Sequence, residues 1–316
     1  MFDGFAHVWT PVIEARRLKS EPLRVLIAGE PVVLFRGKGG AIGALIDRCP
    51  HRGAALSLGH VTSDGTLECP FHGWRFDVTG ANCHIPLNPD ARLDRLGARG
   101  LSVRQIGELI WVYTAPGVEA PEPVTPPELS DPNLSRIYVT RTWACHWTRA
   151  MENMLDSPHL PFVHRRTIGR TLRQRMTPQS RMEILWEDTD YGGKARAILD
   201  GQDNGATLQF HRPNVMTLHI PIPDRTLRIH ALVMPIDAGR TQLTVVGTRS
   251  FARLALLDPI FALMNGRIAD EDKAVVESSG TAEIPPLMSE HSVGSDRATI
   301  QFRKYYYETL RASSAA

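Results

Sequence analysis

From about Glu21 to Thr114 the chain alternates short apolar and β-branched runs, among them PVVLFR, LSVRQI and LIWVYT, with Gly, Pro and Asp turn signals. That pattern predicts a small all-β unit. The texture then changes. APGVEAPEPVTPPELSDPN, from Ala115, carries six prolines in nineteen residues with almost no apolar periodicity, so it reads as an extended linker lying on a surface. A strand-like run around Arg136 to Trp143 and a helical segment from about Thr148 follow. Beyond Arg181, strand-length segments return as ATLQFHR, VMTLHIPI, LRIHALVMP and TQLTVVGTRSF, and a helical pattern from about Leu254 to Glu277 closes the second half. Strands gathered into a sheet with a long helix at the end predict an α+β unit whose helix covers the sheet. The expected organisation is a first domain over residues 1–114, a proline-rich linker over 115–135 and a second domain over 136–316.

Composition adds mainly exclusions. With 316 residues, 42% of them apolar, the chain has material for one large or two medium cores. A net charge of +2 with no long block of like charge points to neither nucleic acid nor a membrane surface. The start, MFDGFAHVWTPVIEARRL, lacks the basic-then-apolar layout of a secretory signal. FARLALLDPIFALMNG, the most apolar later stretch, is interrupted by Arg253 and Asp258 and falls short of the ~18 apolar residues a span needs. A cytoplasmic protein is expected, and four cysteines fit a reducing compartment better than a disulfide scaffold.

Two of those cysteines carry chemistry. Cys49-Pro50-His51 and, after seventeen intervening residues, Cys69-Pro70-Phe71-His72 supply two thiolates and two imidazoles from two short loops. Ligands of this kind suit zinc or an iron–sulfur cluster. The pairing discriminates, because in a Rieske centre one iron takes two Cys and the other two His, and here each loop gives one of each. The stretch CPHRGAALSLGHVTSDGTLECPFHGWRFDVTG resembles the Rieske family beyond its ligands, with Arg52-Gly53 after the first His and Gly73-Trp74 after the second. Trp74 and Phe71 are expected to limit water around the cluster. His60 and His84 lie outside the motif and read as turn or surface histidines, while Cys83 and Cys145 have no ligand-spaced partner.

In MENMLDSPHLPFVHRR, Asn153, Asp156 and His159 follow at i, i+3 and i+6, which would place them on one helix face, and His164 comes five residues after His159. Pro158 and Pro161 argue that the helix distorts or ends here and lets His164 turn back toward His159. Two imidazoles and one carboxylate form the facial triad of non-haem Fe(II) oxygenases. N-x-x-D-x-x-H-x-x-x-x-H looks like the mononuclear-iron motif of Rieske oxygenase catalytic domains. The third ligand is expected in ADEDKAVVES, which offers Asp270, Glu271, Asp272 and Glu277. Resemblance to single-subunit members selects Asp272, with Asp270 as second choice.

The resemblance, to the oxygenase component of Rieske non-haem iron enzymes, covers nearly the whole chain. It implies an N-terminal Rieske [2Fe–2S] domain followed by a helix-grip catalytic domain, holding the cluster on Cys49, His51, Cys69 and His72 and a mononuclear Fe(II) on His159, His164 and Asp272. It also implies a head-to-tail homotrimer in which Asp156 bridges His72 of one chain and His159 of the next, with Asn153 orienting the site. Neither a G-x-G-x-x-G nor a second cysteine set occurs, so electrons from NAD(P)H would arrive through a separate ferredoxin or flavin reductase. The implied reaction consumes O2 and hydroxylates or oxidatively demethylates a small aromatic or cyclic substrate, monooxygenation ranking above dihydroxylation. The rival reading is a Rieske electron carrier without oxygenase chemistry. Phe210, Met216, Leu218, His230, Leu232 and Met234 are pocket candidates of which alternation turns about half inward. Arg165, Arg166, Arg170, Arg173 and Arg175 read as a solvated loop.

Overall fold

The computed structural model describes residues 1–312 and divides into two compact units, Met1–Pro123 and Val124–Ala316. The first is all β: β1 (Trp9–Glu14), β2 (Leu23–Ile27), β3 (Glu30–Arg36), β4 (Ile42–Ile46), β5 (His60–Val61), β6 (Leu67–Glu68), β7 (Arg75–Phe76), β8 (Asn82–His84), β9 (Val103–Ile106) and β10 (Leu109–Tyr113). They form three antiparallel sheets in the orders β1-β10-β9, β2-β3-β4 and β5-β6-β7-β8. Val33, Phe35, Leu45, Leu56, Leu67 and Phe76 make a buried core that also contains Cys49 and Cys69. The two motif cysteines are therefore core residues on the loops that bracket β5 and β6.

In the second unit, β11 (Ser135–Trp143), α1 (Trp147–Leu155), α2 (Leu160–Val163) and α3 (Arg170–Arg175) precede β12 (Met182–Thr189), β13 (Gly192–Leu199), β14 (Gln202–Asp203), β15 (Thr207–His211), β16 (Val215–His219), β17 (Leu227–Asp237) and β18 (Arg240–Arg249). The antiparallel sheet runs β11-β18-β17-β16-β15-β13-β12, with β14 attached to β13. α4 (Asp258–Ser278) lies along β11 and β18, and α1 packs on β16 to β18. The helix expected to begin near Leu254 starts at Asp258 instead, with Pro259 in its first turn, where a missing N–H costs nothing. No helix among the described residues is long and apolar enough to cross a membrane.

α4 does not close the unit. A further helix, α5 (Arg297–Tyr305), continues as a π turn over Tyr306–Arg311. Its buried Phe302, Tyr306 and Leu310 recur every four residues, but TIQFRKYYYETL is rich in aromatic and β-branched residues that read equally well as strand. Phe302 packs edge-on against Trp147 of α1 and Phe210 of β15, with ring centroids 6.0 and 5.6 Å away. Arg303 binds Glu152 of α1 at 2.5 Å and Glu290 at 2.6 Å. These contacts lock the last helix to the first.

Register sorts the sheet residues by face. Phe210 pairs with Met216, Met216 with Ala231 and Ala231 with Val245, so all four share the face against which Phe302 packs. Leu218 shares it too, two residues from Met216. His230, Leu232 and Met234 lie on the other face, where His230 bonds Thr217 at 2.9 Å and Thr248 at 3.1 Å. Of the six pocket candidates, only Phe210, Met216 and Leu218 therefore face the helices. Replacing Phe302 by Ala should cost the second unit about 3–5 kcal/mol through transfer and cavity terms, read as an earlier urea transition by far-UV circular dichroism.

Candidate metal centres

The two loops of the first motif are built alike. Gly53 N–H donates to the Cys49 carbonyl at 2.9 Å and Cys49 N–H to that of Ala54 at 2.8 Å; Gly73 donates to Cys69 at 3.1 Å and Cys69 to Trp74 at 2.8 Å. Both glycines have left-handed backbone, φ +77° and +70°, which explains why C-x-x-x-G recurs in each loop. The His51 and His72 ring centroids lie 4.5 Å apart. His51 stacks on Trp74 at 4.6 Å and 3°, and its Nδ1 is buried without a hydrogen-bond partner among the described residues. Burial pushes the Cys49 thiol up to about 11, backbone N–H groups oppose this, and adjacent Cys69 adds to it. A bound metal would reverse that balance by taking the thiolate. The cysteines are buried and His72 is exposed. Phe71 is 62% exposed, but its ring lies against that of His72 with centroids 3.9 Å apart and covers part of that imidazole. Of the two, Trp74 packs against the core.

The second constellation depends on a helix ending early. α1 stops at Leu155, and Asp156 is extended at φ −86°, ψ 122°; Pro158 then disfavours helical backbone at the intervening Ser157, so the helix does not resume. Asn153, Asp156 and His159 thus do not share one helix face. His159 and His164 instead flank the single turn α2, which has Pro161 in its first turn, with ring centroids 5.2 Å apart. Asp272, 4% exposed, approaches from α4 with Oδ1 3.0 Å from His164 Nε2 and 3.5 Å from His159 Nε2. One ligand atom from each of the three falls within 4.8 Å of the others. Yet Asp272 Oδ1 has no partner in hydrogen-bond geometry among the described residues. Donor atoms this close without hydrogen bonding suit a shared cation.

The outer nitrogens are held as well. His159 Nδ1 lies 3.2 Å from Asp156 Oδ2, and His164 Nδ1 lies 2.9 Å from Glu271 Oε2. Each carboxylate favours the Nδ1–H tautomer, which turns the Nε2 lone pair toward Asp272. Burial alone would pull the His164 pKa down, but Asp272 and Glu271 outweigh it and the net shift is upward; the pocket is electronegative. Asp270 points away and pairs with Arg141 at 2.8 Å. Asn153 Nδ2 is buried and unpartnered among the described residues. Glu271, one of the acids offered as a third ligand, instead backs His164 from outside. Its adjacency to Asp272 was the available signal, since consecutive helix residues point about 100° apart and can flank one imidazole from two sides.

The remaining residues lie apart from both constellations. His60, His84 and Cys83 are exposed, and Cys145 is buried with its thiol pushed up to about 11 by that burial. The five arginines from Arg165 to Arg175 are exposed, Arg173 lying over the Phe162 ring at 5.2 Å.

Comparison with known proteins converges on the same two regions. Residues 8–98 match the Rieske [2Fe-2S] domain, and residues 143–312 match the vanillate O-demethylase oxygenase C-terminal domain. The chain belongs to the Rieske oxygenases. That sets it with oxygenase components rather than simple electron carriers, in a family that carries a Rieske cluster and a catalytic mononuclear iron. It is 28% identical to the phthalate 4,5-dioxygenase oxygenase subunit of Pseudomonas putida, over 74% of this chain and 57% of that protein. It is 32% identical to the 5,5'-dehydrodivanillate O-demethylase oxygenase subunit of a Sphingobium species, over 62% and 47%. The match thus spans about half the length of these two relatives. Methylxanthine N3-demethylase NdmB of Pseudomonas putida is matched at 27% identity over 96% of this chain and 88% of that protein. Its solved structure superposes with a TM-score of 0.82 at 26% identity, covering 98% and 92%. In this Rieske oxygenase, removing the carboxylate behind one metal-facing imidazole should loosen that centre alone. Glu271→Ala is expected to weaken divalent-metal binding at His159, His164 and Asp272 by about 10–100-fold, measured by competition with a chromophoric chelator while the cluster absorbance stays constant.

Proposed function

We propose that the chain is the terminal oxygenase of a multi-component Rieske system, using O2 and electrons from NAD(P)H, delivered by a separate ferredoxin or flavin reductase. The reaction is hydroxylation or oxidative demethylation of a small aromatic or cyclic substrate. The observation that carries this reading is the convergence of His159, His164 and Asp272, each imidazole backed by its own carboxylate. A pure electron carrier has no use for such a centre. Two of the relatives are demethylases by name, which favours monooxygenation over dihydroxylation.

In this assignment Cys49 and Cys69 hold one cluster iron, His51 and His72 the other, and His159, His164 and Asp272 the mononuclear Fe(II). Three protein ligands leave coordination positions on the iron for O2 chemistry beside the substrate. The chain's own residues do the positioning. Asp156 and Glu271 accept the Nδ1 protons and keep each Nε2 free for metal; Asn153 presents a buried amide N–H beside the turn. Trp74 shields one face of His51, and exposed His72 is the ligand through which electrons enter and leave. Met216 and Leu218 lie on the sheet face offered to the substrate, with Phe210 beside them under Phe302 and Tyr305.

Asp156 uses Oδ2 toward His159, which leaves its second oxygen for His72 of a neighbouring copy in a head-to-tail homotrimer. A carboxylate gripping an imidazole on each side gives a short electron route between subunits.

Two variants test the assignment. Asp272→Ala should keep the low average g-value EPR signal of the reduced cluster while losing mononuclear iron and substrate-dependent O2 uptake, because the set loses its only anionic ligand; retained iron and activity would remove Asp272 from the site. Asp156→Asn should keep both metals and the oligomer, yet slow single-turnover oxidation of the cluster by about 10–100-fold or more, since an amide offers one acceptor where two are needed. Stopped-flow at the cluster's visible band reads this directly, and a wild-type rate would leave Asp156 as a support for His159 alone.

A further inference from the structure

The buried face of α1 is built from oxidisable side chains. Trp147, Met151 and Met154, all buried, recur at i, i+4 and i+7 on one side of the helix. The C-terminal end of that helix runs into the metal centre, since Leu155 is followed by Asp156, whose carboxylate holds His159. Trp147 stands at the other end, roughly 12 Å away along the axis. There it meets the ring of Tyr306 edge to face, with centroids 5.6 Å apart, and Tyr306 in turn meets Tyr307 at 5.1 Å. Aromatic contacts thus run unbroken from α1 to the partly exposed Tyr307.

The hydroxyl sets Tyr306 apart from an ordinary packing residue. Tyr306 is 1% exposed, yet its O–H does not go to a backbone carbonyl, as that of Tyr307 does to Ile284. It donates to Glu283 Oε2 at 2.8 Å, and Arg311 reaches both the carboxylate and the phenol oxygen. Glu283 keeps 32% of its side chain exposed, so it opens to water. Burial, and then Glu283, push the Tyr306 pKa up, and the phenol keeps its proton at neutral pH. A phenol that loses one electron becomes a strong acid, and a cation left in a buried site is costly unless the proton departs as well. Glu283 is placed to take that proton and hand it to solvent.

We propose that Trp147 and Tyr306, bridged along α1 by Met151 and Met154, form an escape route for oxidising equivalents, draining the mononuclear centre when an oxidant forms there with no substrate to consume it. One electron leaves Tyr306 by way of Trp147 for the metal site, and the phenolic proton moves to Glu283, leaving a neutral tyrosyl radical. An electron from a one-electron donor such as reduced ferredoxin, with a proton returned from solvent, restores the phenol. With peroxide as the oxidant, H2O2 takes one electron from Fe(II), one from Tyr306 and two protons, one of them the phenol's, and becomes two waters. The route rests on the oxygenase reading for the origin of the oxidant during turnover.

The test mixes Fe(II)-loaded, substrate-free enzyme, its cluster oxidised and so silent in EPR, with H2O2 and follows the freeze-quenched samples by EPR. The wild type should show a tyrosyl radical near the free-electron g-value, appearing with the ferric signal of the mononuclear centre. Tyr306→Phe and Trp147→Phe should each lose the radical while the ferric signal stays. Glu283→Gln leaves every ring in place and should slow radical formation by about 100-fold or more, as loss of a positioned base does; this exposed change carries the test if Trp147→Phe fails to fold. A ferric signal without a radical, a radical undiminished in Tyr306→Phe or in folded Trp147→Phe, or one formed at the wild-type rate in Glu283→Gln overturns the route. Peroxide stands in here for both O2 and the electron donor. An enzyme that forms the radical but shows no substrate-dependent O2 uptake would therefore keep the route and lose the oxygenase reading.

Discussion

The constraint on which this structure turns is that two imidazoles must present the same ring nitrogen to one buried carboxylate. His159 and His164 achieve it by flanking a single helical turn, with Asp156 and Glu271 holding their outer nitrogens at 3.2 and 2.9 Å. A continuous helix through this segment would carry the two rings on different faces, since five residues advance the direction by well over one turn. Pro158 and Pro161 forbid that continuation, and α4 then meets the turn with Asp272. The site is thus assembled from a broken helix and an unbroken one.

What fixes α4 is the sheet beneath it. Arg141 on β11 pairs with Asp270, and Gly266 leaves room for the Arg141 guanidinium, where a Cβ would come within 2.8 Å of Nη2. Gly247 on β18 makes the same allowance for Asn265. The exposed pair contributes little energy on its own; the buried face of α4, Asn265, Gly266, Ala269, Asp272 and Val276, fixes its rotation and with it which acid of Asp270-Glu271-Asp272 points inward. Three neighbouring carboxylates take three tasks for this reason: one pairs with the sheet, one steadies an imidazole, and one completes the triad. In the first unit the equivalent device is a repeated loop closed twice by the same pair of backbone hydrogen bonds.

Much of this was legible in the chain itself. C-x-H and C-x-x-H bring two thiols and two imidazoles into two like-built loops, and the strand runs after Arg181 match β15 to β18 because period-two alternation beside Gly and Pro is a strong signal. Other features were hidden for physical reasons. Asp156 has helical spacing to His159, but the chain leaves the helix at Asp156 and Pro158 keeps Ser157 from resuming it. α5 escaped because Phe302, Tyr305, Tyr306 and Tyr307 suit strand as readily as helix, and only the Arg303 and Glu152 contact across the sequence decides between them. Which face of β17 receives the helices could not be read from alternation alone, and His230 proved to lie on the far side. Glu271 was one of four acids on offer in ADEDKAVVES, and only the tertiary contact with His164 gives it its task.

The account's central claim is that one chain carries both a two-iron cluster and a separate iron poised for O2 chemistry. Iron and acid-labile sulfide measured on protein reconstituted and purified anaerobically test it most directly. The account predicts about three irons and two sulfides per chain, with the extra iron removed by mild chelation while the cluster spectrum persists. About two irons and two sulfides, unchanged when Fe(II) is supplied in excess, would contradict it and leave the chain as an electron carrier.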